Sequence, residues 1–302
     1  MRTEHRLLGV GVATLDIINQ VARYPHEDDE VRATGQRIAR GGNAANTLSV
    51  LRQFGHQCDW VGCHADDRQA DLILADLKQR GIGTDAAVRC QDSATPTSYI
   101  TLSDANASRT IVHYRRLREL TAADFAALPL DSYHWVHFEG RHPVETALMI
   151  ERVRRERPHL PISVEIEKNR PELARLWQPV SLLLFSRAFV EPVLDGPVTP
   201  WDYLAEQQHH SGAALCVAPW GAEGAYGIDR AGQRLFAPAE TPGRLTDTLA
   251  AGDVFNAVLI DALLRGLPLG QAMACASRVA GYKCGYRGID GLIGAAREAG
   301  IL

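Results

Sequence analysis

Short apolar runs along the chain alternate with longer stretches in which apolar residues recur at helical spacing. Residues 7–12 form one such run and predict a strand, which residues 16–18 continue. Residues 43–54 have helical spacing and stop at Gly55. Trp60 and Val61 mark a short strand. Residues 67–80 predict a helix with apolar positions at Leu72, Leu74, Ala75 and Leu77, ending before Gly81. Residues 98–102 and 110–114 predict two strands paired around the turn 104–107. Further strands are expected at 135–138, 162–166, 182–185 and 215–218, with helical segments between them. A long apolar helix is expected from Val254 to about Arg265, stopped by Gly266 and Pro268. This alternation predicts an α/β fold, three-layered, with a mostly parallel central sheet flanked by helices. Two stretches break the pattern, 16–39 with its acidic run 27–30, and 95–118. Together, as about 14–39 and 95–118, they are expected to form a small β-sheet lid over a site at the strand ends.

Composition narrows the function classes. At 302 residues the chain is expected to be one domain, 1–302. A net charge of −4, with 46% hydrophobic and 23% charged residues, advertises no basic face, so nucleic acid is not an expected partner. No apolar run approaches a membrane span and the first residues do not read as a signal peptide, so a cytoplasmic protein is expected. The six cysteines are scattered and read as reduced, mostly buried thiols. The histidines lack a metal pattern, and His134 and His137 read as residues of a strand.

The chemistry concentrates in residues 246–256, Thr-Asp-Thr-Leu-Ala-Ala-Gly-Asp-Val-Phe-Asn. Small residues let a backbone approach a ligand closely. The free N–H groups of a helix N-terminus favour a phosphoryl group. Asp253 beside them could take the proton of an attacking hydroxyl. Aspartate is equally a common N-cap, and this segment alone leaves both readings open. Gly41 to Asn46 opens another helix and sets Asn43 and Asn46 three residues apart on one face, a pattern suited to sugar hydroxyls. A glycine turn with an asparagine cap explains it as well. Asp16 follows the first strand, where α/β proteins bind ligands, or is a surface turn residue. Gly9-Val10-Gly11 lacks the third glycine of a dinucleotide fingerprint.

With these segments in order, the chain resembles the ribokinase-like (pfkB-type) carbohydrate kinases, and within them the ketohexokinase branch. The matches include 9–16, 23–25, 27–28, 40–46, 108–111, 138–141, 163–168, 247–256 and 279–285, nearly the whole length. The resemblance implies an ATP-dependent kinase that phosphorylates a hydroxyl of a small sugar, a ketohexose such as fructose. Ribose, another carbohydrate or a nucleoside is the alternative acceptor, and a sugar-binding regulatory protein with weak catalysis is the alternative role. It implies Asp253 as base, with the backbone of Ala250, Ala251 and Gly252 as the anion hole. It implies sugar contacts at Asp16, Asp28, Gly42, Asn43 and Asn46, and Arg109 reaching the nucleotide phosphates. Arg187, Gly221, Gly224, Phe255, Ala280 and Cys284 match positions around the nucleotide. Mg2+ would arrive with ATP, a potassium ion is implied at Asp247, and a homodimer would form through the lid.

Three departures stand out. Ala250 replaces a glycine, at a cost of about 1–2 kcal/mol if its φ is positive. Residues 186–191 lack an Asn-x-x-Glu pattern that many relatives use near magnesium, and Arg187 stands for an expected lysine. Residues 113–118 carry Arg115, Arg116 and Arg118, read first as a solvated or dimer-facing cluster and alternatively as a selector of anionic sugars.

Overall fold

The computed structural model describes residues 4–105 and 108–302. In chain order the strands and helices are β1 (Arg6–Val10), β2 (Thr14–Val21), β3 (Gly35–Gly41), α1 (Asn43–Gln53), β4 (Gln57–Val61), β5 (Cys63–Ala65), α2 (Arg68–Gln79), β6 (Ile82–Gly83) and β7 (Val88–Cys90). There follow β8 (Ala94–Ser103), β9 (Arg109–Arg116), α3 (Ala122–Phe125), β10 (Trp135–Glu139), α4 (Pro143–Glu156), β11 (Ile162–Ile166), β12 (Leu182–Phe185), α5 (Arg187–Val190) and α6 (Pro200–Ser211). The chain closes with β13 (Cys216–Pro219), β14 (Gly224–Ile228), β15 (Arg234–Pro238), α7 (Ala251–Leu264), α8 (Leu269–Cys284) and α9 (Leu292–Glu298).

Nine strands form the central sheet in the order β15-β14-β13-β12-β11-β10-β1-β4-β6, parallel except for β14 and β15. Helices cover both faces, so its inner strands are apolar on both sides. Leu7 of β1 packs into one core with α1, α2, α7, α8 and α9, while its neighbour Leu8 packs into the other with α3, α4 and α6. From β1 the chain runs outward through β4 and β6, then returns to the other side of β1 with β10. The strand order therefore reverses between β1 and β10, and the crevice beyond their C-terminal ends is where such sheets bind ligands. No described helix is long and apolar enough to cross a membrane.

Residues 16–18 do not prolong the first strand. β1 ends at Val10, and β2 leaves it for a second, four-stranded sheet in the order β3-β2-β8-β9. Both stretches that broke the helical alternation thus pair with each other, with β2 parallel to β8. The hairpin joining β8 to β9 was expected to turn at 104–107. Asp104 and Ala105 are in a turn, while Asn106 and Ala107 lie outside the described residues.

Pairing register sorts the small sheet's side chains by face. Asp16, Arg37, Ser98, Arg109, His113 and Arg115 share one face. Ile38, Ile17, Tyr99 and Val112 form a cross-strand row on the other, with Tyr114 beside them. Ile38, Tyr99, Val112 and Tyr114 are exposed.

Two helix assignments shift. In α2 the buried positions are Ala70, Ile73 and Leu77, while Leu72 faces solvent. α7 begins at Ala251, three residues before the expected start, because small residues that look like a loop continue the helical turn. Cys58, Cys63, Cys90 and Cys216 are buried and Cys275 and Cys284 half-buried, all as free thiols. His137 is buried in β10 against Ser163, 2.8 Å away, and burial pushes its pKa down to about 4.

Candidate active site

Asp253 is the third residue of α7, and Ala250 occupies the cap position. Asp253 therefore does not cap the helix. Its Oδ2 instead accepts a hydrogen bond from Asn46 Nδ2 on α1, at 2.7 Å. Only 7% of Asp253 is exposed. Burial outweighs the lowering effect of the Asn46 bond, and the carboxyl is pushed up to about 7.

The amide of Asn46 is oriented by a chain of charged groups. Arg40 Nη1 donates to Asn46 Oδ1 at 2.9 Å, which turns the NH2 end toward Asp253. Arg40 is itself buried and is neutralised by Asp76, with Nε 2.7 Å from Oδ2. Thr47 Oγ1 approaches the Asp253 carbonyl at 3.4 Å, adding a second tie between α1 and α7.

The start of α1 is fixed by a close backbone approach. Gly42 has φ 106°, and a Cβ there would stand 2.0 Å from the Val12 carbonyl oxygen. Only glycine fits that position. Asn43 is the first helical residue and does not cap; its Nδ2 reaches Glu167 Oε2 at 3.4 Å. The orphan N–H of Ala44 is met by Glu139 Oε1 at 2.8 Å. Glu139 ends β10, and a side chain at Gly11 would strike it at 2.4 Å.

Glu139, Glu165 and Glu167 fall within the matched segments 138–141 and 163–168, where the sequence assigned them no role. Glu165 Oε1 accepts from Asn256 Nδ2 at 3.1 Å, while its Oε2 is buried without a hydrogen-bond partner among the described residues. Burial holds Glu165 well above the usual carboxylate range, with the Asp253 charge adding to it. Burial likewise pushes Glu139 up to about 7. The signal was present in the chain: acids at the C-terminal ends of otherwise apolar strands point into the ligand crevice.

The other expected residues divide. Asp16 lies on the inner face of the small sheet, bonded by Thr14 Oγ1 at 3.0 Å, and burial raises its carboxyl. Arg109 on the same face donates from Nη1 to Thr248 Oγ1 at 3.0 Å. Asp28 is not brought in: it is exposed, has φ 64°, and its side chain makes no hydrogen bond among the described residues. Arg187 opens α5, pairs with Glu191 at 2.7 Å, and lies over the Trp220 ring next to Gly221. Gly221 and Gly224 both take positive φ, 66° and 132°. Phe255 is buried in the core, and Cys284 Sγ donates to the Ala280 carbonyl one turn back in α8 at 3.3 Å.

Two further points concern the turn before α7. Ala250 has φ 62° and ψ 12°, left-handed backbone that a methyl-bearing residue adopts at a cost of about 1–2 kcal/mol. Asp247 was expected to hold a potassium ion, and its surroundings do not fit one. Its carboxylate accepts from Leu249 N at 2.9 Å, Gly288 N at 3.0 Å and Arg37 Nη2 at 2.9 Å. The Lys283 ammonium, fully buried, donates to the Asp247 carbonyl oxygen at 2.7 Å and lies 3.4 Å from Oδ2. The cationic place beside Asp247 is filled by protein. Among the described residues no three acids, histidines or cysteines stand together as a metal cage.

A reversed strand order, a helix N-terminus and a buried acid held by an amide come together at the crevice beyond the strand ends. The pfkB family carbohydrate kinase model matches residues 6–292, and the chain belongs to that family. It is a phosphotransferase with an alcohol group as acceptor. It is 36% identical to mouse ketohexokinase over 96% of this chain and 99% of that one. Its fold is ribokinase-like. A ribokinase-type protein from Agrobacterium tumefaciens superposes with a TM-score of 0.83 at 23% identity, covering 98% of this chain and 99% of that one. The adenosine kinase from Sinorhizobium meliloti does so with 0.78 at 19% identity, covering 98% and 100%.

Proposed function

We propose that the protein is an ATP-dependent ketohexose kinase. The observation that carries this reading is the Asn46–Asp253 pair at 2.7 Å, set in the first turn of α7 and opposite the start of α1. The likeness to mouse ketohexokinase along nearly the full length of both chains supports the ketose acceptor.

In this reading Asp253 accepts the proton of the acceptor hydroxyl. That oxygen attacks the γ-phosphorus of ATP as the bond to the bridging oxygen breaks, and ADP leaves. The N–H groups of Ala251 and Gly252 face the charge that develops, and Arg109 neutralises phosphate oxygens. Asp16, Gly42, Asn43 and Asn46 line the sugar. Arg187, Gly221, Gly224, Phe255, Ala280 and Cys284 surround the nucleotide. Magnesium bound with ATP supplies further charge neutralisation.

The small sheet serves as a lid. Arg37 to Asp247 and Arg109 to Thr248 tie its inner face to the loop before α7. Its outer apolar row, Ile38, Tyr99, Val112 and Tyr114, supports a homodimer through the lid, since exposed patches of this kind mark interfaces.

The test is ADP release across ketoses, aldoses and nucleosides with wild type and Asp253→Ala. Fructose-driven turnover falls by about 1,000-fold or more in the variant, while calorimetry still detects sugar binding. Near-normal turnover would remove Asp253 from its role. Sugar binding by the wild type without ADP release from any acceptor would favour a regulatory protein, a reading to which the strained Ala250 lends weight.

A further inference from the structure

The place beside Asp247, where the resemblance expects a potassium ion, is built for a positive charge and already holds one. It lies at the C-terminal end of α8, the negative end of the helix dipole. Lys283 stands in the last turn of that helix and is fully buried. Its Nζ donates to the carbonyl oxygens of Asp247 at 2.7 Å and Tyr286 at 3.4 Å, and lies 3.4 Å from Asp247 Oδ2. An ammonium has three N–H donors, and here it faces three oxygens. Two carbonyls and a carboxylate are also the donors that a potassium ion takes in place of its water shell.

A second positive charge closes the place from the lid. Arg37 Nη2, on β3, donates to Asp247 Oδ2 at 2.9 Å. The cavity beside this contact is lined by Arg37, Arg244 and Arg287 against Asp104 and Asp247. A metal cation arriving there would meet three guanidiniums and then a carboxylate already shared by two cations. Burial alone would raise the Asp247 carboxyl, but the Lys283 charge, the Gly288 and Leu249 N–H groups and Arg37 hold it below its ordinary value.

The same contacts lead into the active site. Asp247 Oδ1 accepts from Leu249 N at 2.9 Å, one residue before Ala250 at the cap of α7. Thr246 N and Asp247 N donate to the Cys284 carbonyl at 2.8 and 3.1 Å. The buried ammonium thus fixes the turn that presents the N–H groups of Ala251 and Gly252.

We infer that Lys283 is a positioning residue that supplies, as a side chain, the charge a potassium ion would bring, so that phosphotransfer by this protein needs no monovalent metal cation. The inference rests on the kinase reading but on no particular acceptor.

The experiment measures ADP release by wild type, Lys283→Ala and Lys283→Met with the fastest acceptor among ketoses, aldoses and nucleosides. ATP is supplied as its tetramethylammonium salt, in tetramethylammonium, potassium or ammonium chloride at equal ionic strength. Wild-type kcat is expected to agree within about twofold across the three salts. Lys283→Ala, which vacates the place, is expected to lose about tenfold or more in tetramethylammonium chloride, mostly in kcat, and to regain about fivefold or more with potassium or ammonium. Lys283→Met, which fills the space without a charge, is expected to lose as much and regain nothing. Severalfold stimulation of the wild type by potassium, an unchanged Lys283→Ala, or a loss that neither cation repairs overturns the inference. A variant that fails to fold in tetramethylammonium chloride is refolded in the other two salts; recovery by Lys283→Ala alone supports the inference, and recovery by neither variant or by both overturns it. If the wild type releases ADP with no acceptor, the kinase reading fails by itself and thermal melting decides. A Tm raised by potassium or ammonium in Lys283→Ala but not in wild type then supports the resident cation, and an equal response of the two overturns it.

Discussion

Asn46 Nδ2 and Asp253 Oδ2 stand 2.7 Å apart across 207 positions of sequence. The bond stabilises the carboxylate in a site where burial disfavours it. Asn46→Ala removes a charge-assisted hydrogen bond worth about 1.5–3 kcal/mol. The variant should lose about tenfold or more in kcat/KM at pH 7, with the acid side of its pH profile moved upward. Rates measured from pH 5.5 to 9 check this, and an unmoved profile would count against Asp253 as the group that titrates.

Asp253 also links pH to both activity and stability. With its carboxyl pushed up to about 7, activity should rise as pH climbs through that value. The folded chain holds this proton more tightly than the unfolded one, whose carboxyl titrates near 3.8. Stability from the group is thus present below about pH 4 and is lost as pH rises through about 7. Asp253→Asn should melt higher than wild type at pH 8, with the difference shrinking as pH falls toward 4. A difference in Tm independent of pH would contradict the assignment.

Ala250 sits at φ 62° where glycine carries no penalty. Relief of about 1–2 kcal/mol is partly offset by roughly 0.4–1 kcal/mol from glycine's greater unfolded freedom. Ala250→Gly is therefore expected to raise Tm by about 1–4 °C and to increase kcat. Calorimetry and steady-state rates test both, and a lower Tm would mean that the methyl is held by packing that outweighs its strain.

Lys283 is buried against Asp247 and bonds the backbone of the loop before α7. Lys283→Met leaves Asp247 without one of its two cations and should cost about 3–5 kcal/mol in urea unfolding. A loss below about 1 kcal/mol would show that Arg37 alone suffices.

Much of the fold was legible in the chain because burial leaves a periodic trace. The apolar runs at 135–138, 162–166 and 182–185 became β10, β11 and β12 of the parallel sheet. The two stretches that broke the alternation became one separate sheet. Leu72 misled because apolar type alone does not set which face of α2 is buried; the partner surface does. Residues 16–18 misled because an extended segment carries no mark of which sheet it will join.

Sequence alone determined the family, the α/β class and the residue types from which the site is built, because these follow from local pattern and ordered motifs. The segment around Asp253 by itself fitted a helix cap as well as a base, and only the tertiary structure showed that Asp253 does not cap the helix. It placed Asn46 against the carboxylate, set Ala250 in the cap position, and filled the place beside Asp247 with Lys283. It also split one run of arginines between two faces of a strand. Each of these depends on which distant side chain comes within 3 or 4 Å, and that distance is set by the packing of separate elements, which spacing along the chain does not encode.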